Sequence, residues 1–197
     1  GARATGGVGL ILTEMTAVSN TGRITLGCAG IWSEEQAYKW KKVVNYVHKY
    51  SKSKIGIQLG HSGRKGSVNV PSVGKDIPLA KRGWDLISAS PIPFNSAMAS
   101  PREMTLSDMD TVISEFVNAT INADEVGFDM VELQAHHGFL LASFLSPLTN
   151  IRTDEFGGPV QNRIKFPLEV FKAMREVFTE TKPMSVRISA SDWVEDG

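Results

Sequence analysis

Four short apolar runs, at residues 9–13, 55–59, 129–133 and 184–188, constrain this chain more than any other feature. Each is rich in β-branched and aliphatic residues and bounded by turn signals, the pattern of a strand buried on both faces. Helical periodicities separate them. Ser33-Glu34-Glu35-Gln36 reads as a capping box before a helix whose inner face carries Ala37, Trp40, Val44 and Val47. A second helix is expected from Ser107, with Met109, Val112, Phe116, Thr120 and Ala123 inward. A third is expected from about Pro159, with Val160, Ile164, Leu168, Phe171 and Phe178 in register. The order β-α-β-α-β-α-β specifies a parallel sheet covered by helices.

A doubly wound sheet and a (β/α)8 barrel both fit. The connections favour one of them. Long excursions follow the strand C-terminal ends, at 19–32, 61–106 and 134–158, where a barrel builds its active site, while the returning links at 50–53 and 180–183 are short. The expectation is a barrel. A complete one takes about 250 residues, so residues 1–197, which open on Gly-Ala-Arg, are expected to be one partial domain of about four βα units. The segment 68–102 is expected to cap the site.

Composition narrows the function classes. Lys and Arg number 21 and so do Asp and Glu, a balance that argues against holding nucleic acid by phosphate neutralisation. The longest apolar stretches are too short to span a membrane. The single cysteine, Cys28, excludes an internal disulfide framework. With no leader-like segment at its start, the class expected is a cytoplasmic globular protein.

Three places carry candidate chemistry. Gln58 interrupts an apolar strand and is followed by Gly60-His61-Ser62-Gly63-Arg64-Lys65. A buried amide needs partners, and either neighbouring barrel residues or a flat heterocycle with carbonyls and ring nitrogens would supply them. Gln134-Ala135-His136-His137 ends the third strand. Adjacent histidines on an extended segment point to opposite sides, so one faces the site. Donation to a substrate carbonyl is the better use; metal binding lacks a His-x-His, a nearby acidic ligand or a cysteine. Arg187 lies in the middle of the fourth strand, where it needs either a buried carboxylate such as Glu14 or Glu132, or an anionic cofactor. Gly6-Gly7-Val8-Gly9 precedes a strand instead of opening a helix, and Gly157-Gly158-Pro159 is ordinary turn chemistry, so neither reads as a phosphate loop.

Together these segments resemble the Old Yellow Enzyme family of FMN-dependent oxidoreductases. The matching runs include Leu12 to Val18, Gln58 to Lys65, Glu132 to Gly138, Phe144 to Asn150, Arg152 to Gly158, Asn162-Arg163 and Ser185 to Ala190. Within the family the chain is similar to bacterial NADPH dehydrogenases, and closer still to the module fused to salicylyl-CoA and anthraniloyl-CoA hydroxylases. The resemblance implies FMN across the strand ends of a (β/α)8 barrel, with NAD(P)H as reductant. It implies Gln58 at the flavin's pyrimidine edge, Arg187 where negative charge collects on reduction, and backbone contact from Met15. Gln134 and His137 occupy the pair that grips the oxygen of a small-molecule substrate with a conjugated carbonyl. Two positions depart from the family: Gln134 replaces a histidine, and Phe139 replaces the tyrosine that is proposed to protonate the α-carbon. The first strand of the barrel is expected before Gly1 and the phosphate-binding strands after Gly197. A fused monooxygenase domain or a homo-oligomer are the expected partners, with no nucleic acid and no membrane. Two functions stand at this point: an enone reductase, whose substrate is an aryl- or enoyl-CoA thioester in one form of the reading, and a non-catalytic module docking an attached hydroxylase.

Overall fold

The computed structural model describes residues 1–74, 76–195 and 197. Lys75, within the expected cap, and Asp196 lie outside the described residues. In chain order the elements are α1 (Ala2–Thr5), β1 (Leu10–Ala17), α2 (Glu34–Tyr50), β2 (Lys54–Gly60), α3 (Pro71–Gly74), β3 (Ile87–Ser88) and β4 (Arg102–Glu103). They continue with α4 (Leu106–Val126), β5 (Met130–Ala135), α5 (Leu140–Leu145), α6 (Val160–Arg163), α7 (Lys165–Val177) and β6 (Met184–Ile188). Four strands pair in the order β1-β2-β5-β6, all parallel. This is the sheet expected from the four apolar runs.

One face of the sheet is the core. Ile57, Leu59, Val131 and Leu133 are fully buried there, each contributing about 1.5–3 kcal/mol of apolar burial. Helices α2 and α4 cover β2, and α7 packs beside α4. The Ser33 capping box forms as expected, with Gln36 closing it. Helix α4 starts a residue earlier than expected because Thr105, not a residue at 107, is its cap: Thr105 and Asp108 satisfy each other's backbone N–H groups. Gly127, at φ 98°, ends that helix in the left-handed conformation that only glycine adopts without strain.

The third helix differs more. It breaks at Ile164, between α6 and α7, because Pro167 has no N–H for the Arg163 carbonyl and its ring crowds that group. The inward stripe of α7 is Phe166, Val170 and Met174, whereas Val160, Ile164 and Leu168 stand on the exposed side. The expected face was therefore the wrong one in its first half; Phe178 is buried as the cap of α7.

Strand β1 runs four residues past its expected end. It carries a bulge: Leu12 pairs with Gly56 and Met15 with Gln58, three steps against two. Thr13 Oγ1 fills the irregularity, accepting the Gln58 backbone N–H at 3.1 Å.

The described residues of the segment 68–102, expected to cap the site, are organised by contacts of their own. Val68, Leu86 and Met98 form a small apolar cluster with Ile24 and Trp84. The Arg23 guanidinium lies near both Trp84, at 4.9 Å from the ring centroid, and Trp32, at 5.8 Å. Arg152 clamps this segment to the body: buried, it donates to the carbonyls of Ala89 at 3.1 Å and Met104 at 2.8 Å and pairs with Asp154.

Candidate active site

The parallel register brings polar residues to the C-terminal ends of adjacent strands, on the face away from the covering helices. Gln58 pairs with Glu132, Glu132 with Ser185, and Gln134 with Arg187, so these side chains share a face, with Met15 beside Gln58. Gly60 makes this crowding feasible, since a Cβ there would collide with Gln134 Oε1 and with Met15.

A hydrogen-bonded chain runs across the strands. Gln134 Nε2 donates to Gln58 Oε1 at 3.3 Å, Gln58 Nε2 donates to Glu132 Oε1 at 2.8 Å, and Ser185 Oγ donates to Glu132 Oε2 at 3.0 Å. Both functional ends of the buried Gln58 amide thus have partners within the sheet, the first of the two possibilities its sequence position allowed. Gln134 Oε1 is buried with no hydrogen-bond partner among the described residues. Glu132, two residues before Gln134 on the same strand face, belongs to this site; the period of two along a strand was the signal that places it there.

Arg187 does not have the environment expected of it. It lies exposed on β6, and Glu132, the buried carboxylate expected as one possible partner, is taken by Gln58 and Ser185. Glu14, the other, is exposed on β1. Within the four strands of residues 1–197, β6 is an outer strand, and Arg187 is exposed on it.

Beyond β5 the two histidines separate. His136 is buried, with neither ring nitrogen bonded among the described residues, and burial first, then the neighbouring His137 and Arg187, pushes its pKa down to about 4. His137 is exposed and sits at φ 59°, followed by Gly138 at φ 69°, so the chain turns sharply off the strand. Its backbone is pinned on both sides: the N–H donates to Ser189 Oγ at 3.1 Å, and the carbonyl accepts from Lys65 Nζ at 2.9 Å. A cleft of about 210 Å³ opens beside this turn, lined in part by Arg64, Gly138, Ser146, Arg163 and Ser189. His61, in the loop after β2, is a structural residue: buried, with its pKa lowered to about 4 by desolvation, it accepts the Gly63 N–H at 3.0 Å. Among the described residues no helix is long and apolar enough to cross a membrane.

Comparisons with known proteins place this arrangement. The family model described as NADH:flavin oxidoreductase / NADH oxidase matches residues 1–197. The NADPH dehydrogenase of Geobacillus sp. (strain WCH70) is 42% identical over 195 residues, covering 99% of this chain and 52% of that protein. That of Bacillus velezensis is 43% identical over 195 residues, covering 99% of this chain and 53% of the relative. Among solved structures, morphinone reductase in complex with tetrahydroNAD superposes with a TM-score of 0.79 at 30% identity, over 91% of this chain and 50% of that one. The chain thus spans about half the length of the relatives it matches. Its sheet and helices are part of a (β/α)8 barrel, as the strand order and loop lengths led one to expect. A family match over the whole chain, with relatives above 40% identity, settles the assignment: the chain belongs to the NADH:flavin oxidoreductase / NADH oxidase family, which works with FMN and NAD(P)H.

Proposed function

We propose that the full-length protein is an FMN-dependent oxidoreductase that takes electrons from NAD(P)H and reduces a small molecule with a conjugated carbonyl, an aryl- or enoyl-CoA thioester being one form of that substrate. Residues 1–197 would be the middle of its barrel, with the first strand before them and the phosphate-binding strands after. The observation that carries the reading is that Gln58, Gln134 and Arg187 share one face at three adjacent strand ends, Gln134 and Arg187 in register and Gln58 two residues back, with His137 at the turn beyond.

These residues fit a flavin. Gln134 Oε1 is a buried acceptor in need of a donor, which a ring N–H supplies, and the exposed Arg187 guanidinium is a cation suited to charge on a ring carbonyl or nitrogen. Gln58, held by Glu132, keeps one amide hydrogen and one lone pair for a ring edge. When bound, FMN supplies the hydride for the substrate's β-carbon and regains electrons from NAD(P)H.

The chain's own residues do the rest. His137 and Gln134 donate hydrogen bonds to the substrate's carbonyl oxygen, and those bonds strengthen as the oxygen gains negative charge. One such donor is worth about 10²–10³ in rate. His137 is the stronger candidate because its ring is exposed, whereas the Gln134 amide is already committed to Gln58.

The test is anaerobic. The purified full-length protein should carry FMN, bleach with NAD(P)H and recover its colour on adding a conjugated enone or an enoyl-CoA. A protein that binds no FMN sinks the reading. A second reading, a barrel module that docks an attached CoA-thioester hydroxylase without turnover, is favoured by Gln134, a neutral amide in place of a histidine, and by Phe139, which has no proton to donate in place of a tyrosine. It predicts bound FMN with no recovery by any enone.

A further inference from the structure

Hydride addition to the β-carbon of a conjugated carbonyl leaves an enolate, and the reaction ends only when the α-carbon takes a proton. Phe139, the aromatic residue after the His137-Gly138 turn, has none to give. We propose that the Lys65 ammonium is the acid that protonates the α-carbon. This rests on the enone-reductase reading and deepens it.

Geometry puts Lys65 at the right turn. Its Nζ donates to the His137 carbonyl at 2.9 Å and lies 5.0 Å from the centroid of the Phe139 ring and 4.3 Å from that of Phe94. Its stem passes Gly138, where a Cβ would stand 3.8 Å from Lys65 Cδ. The proton source is therefore tied to the residue whose ring holds the substrate oxygen, and two aromatic faces fix the cation from the sides. Phe94 belongs to the 68–102 segment, so that segment supplies one of the two rings beside the cation.

The other groups at this turn have the wrong acidity. The His137 ring is occupied with the carbonyl oxygen. His136 is neutral near pH 7, its pKa being about 4, and is buried. Arg64 carries a guanidinium, which does not release its proton in proteins. A lysine ammonium and a phenol have ordinary pKa values of about 10.4 and 10, so a lysine is an acid of nearly the strength of the tyrosine that Phe139 replaces. In the step, a Lys65 N–H bond breaks, the enolate's electron pair forms the α C–H bond, and the neutral amine regains its proton from water. The hydride and its electron pair come from NAD(P)H by way of the flavin.

The experiment uses the full-length FMN protein, reduced anaerobically with NAD(P)H and mixed either with 2-cyclohexenone or with ferricyanide, which takes electrons without protonation at carbon. Lys65→Met should slow reoxidation by cyclohexenone by about 10²-fold, the usual scale of general acid catalysis, while ferricyanide reoxidation and reduction by NAD(P)H stay near parental rates. Lys65→Arg keeps the charge and should be as slow as Lys65→Met. The double variant Lys65→Met/Phe139→Tyr should regain at least about tenfold, since the phenol restores an acid. Independently of turnover, the Lys65 signal of oxidised, reductively ¹³C-methylated protein should shift on adding cyclohexanone. The proposal is overturned if Lys65→Met keeps the parental cyclohexenone rate, if Lys65→Arg does, if both acceptors slow together, or if the methyl signal does not move. If the parent itself does not react with cyclohexenone, the fault lies in the enone-reductase reading, and the proposal falls with it.

Discussion

The Gln58 side-chain amide donates to Glu132 Oε1 at 2.8 Å across the β2–β5 pair, and Glu132 Oε2 receives Ser185 Oγ from β6 at 3.0 Å. One carboxylate therefore fixes the orientation of an amide on one neighbour and a hydroxyl on the other. Glu132→Ala should leave two polar groups without an acceptor, at about 1–3 kcal/mol each. Equilibrium unfolding of the full-length protein should show that loss, and titration with FMN should show weaker binding, because Gln58 is no longer held. Unchanged FMN affinity would mean that Gln58 is oriented by other contacts.

Removal of the carbonyl donors should separate by residue. His137→Ala should slow reoxidation by an enone about 10²–10³-fold, and Gln134→Ala by much less, with reduction by NAD(P)H preserved in both. Rapid mixing times the two half-reactions separately. Equal effects of the two variants would contradict the assignment of His137 as the principal donor.

Arg152 is a stability residue. Arg152→Ala removes the donor to the Ala89 and Met104 carbonyls and the partner of Asp154. The two buried carbonyls lose their donor at about 1–3 kcal/mol each, while the exposed Asp154 carboxylate is left in water at little cost; faster proteolysis in the 68–102 segment should accompany that loss. Denaturant unfolding and limited proteolysis read both.

The pH dependence of stability should carry the mark of His61. Its folded pKa of about 4 lies below the ordinary 6.5, so the unfolded chain binds this proton more readily. The stability at stake is fully present above pH 6.5 and is lost as pH falls toward 4, by about 3 kcal/mol in all. His61→Asn cannot titrate, and its side-chain oxygen can accept the Gly63 N–H in the manner of an Asx turn. Thermal unfolding of this variant should vary less between pH 7 and 5 than that of the parent. An identical pH profile would show that His61 does not govern this range.

Much of this was legible in residue order, and the failures have local causes. The strand at 184–188 and the Ser33 box depend on short-range patterns, and they stand where those patterns put them. The bulge in β1 needs a partner strand before it can exist, so no single-strand pattern reveals it. The break at Ile164 was announced by Pro167, but a continuous apolar periodicity hid it. The structure of 68–102 depends on contacts with Ile24 and Arg152, far away in sequence, and periodicity is blind to such contacts. Residue types and strand ends singled out Gln58, Gln134, His137 and Arg187 as candidates; the pairing of Gln58 with Glu132 required the register.

Strand β6 presents one ladder edge with no partner in the four-stranded sheet, and Val186 and Ile188 on it are 43% and 60% exposed. Such an edge is a template: any extended segment of suitable pattern can add to it, including the β6 of another copy. For the 197-residue chain by itself, such pairing makes self-association concentration-dependent. Charged substitutions at Val186 or Ile188 would blunt that edge in the way natural sheets protect theirs.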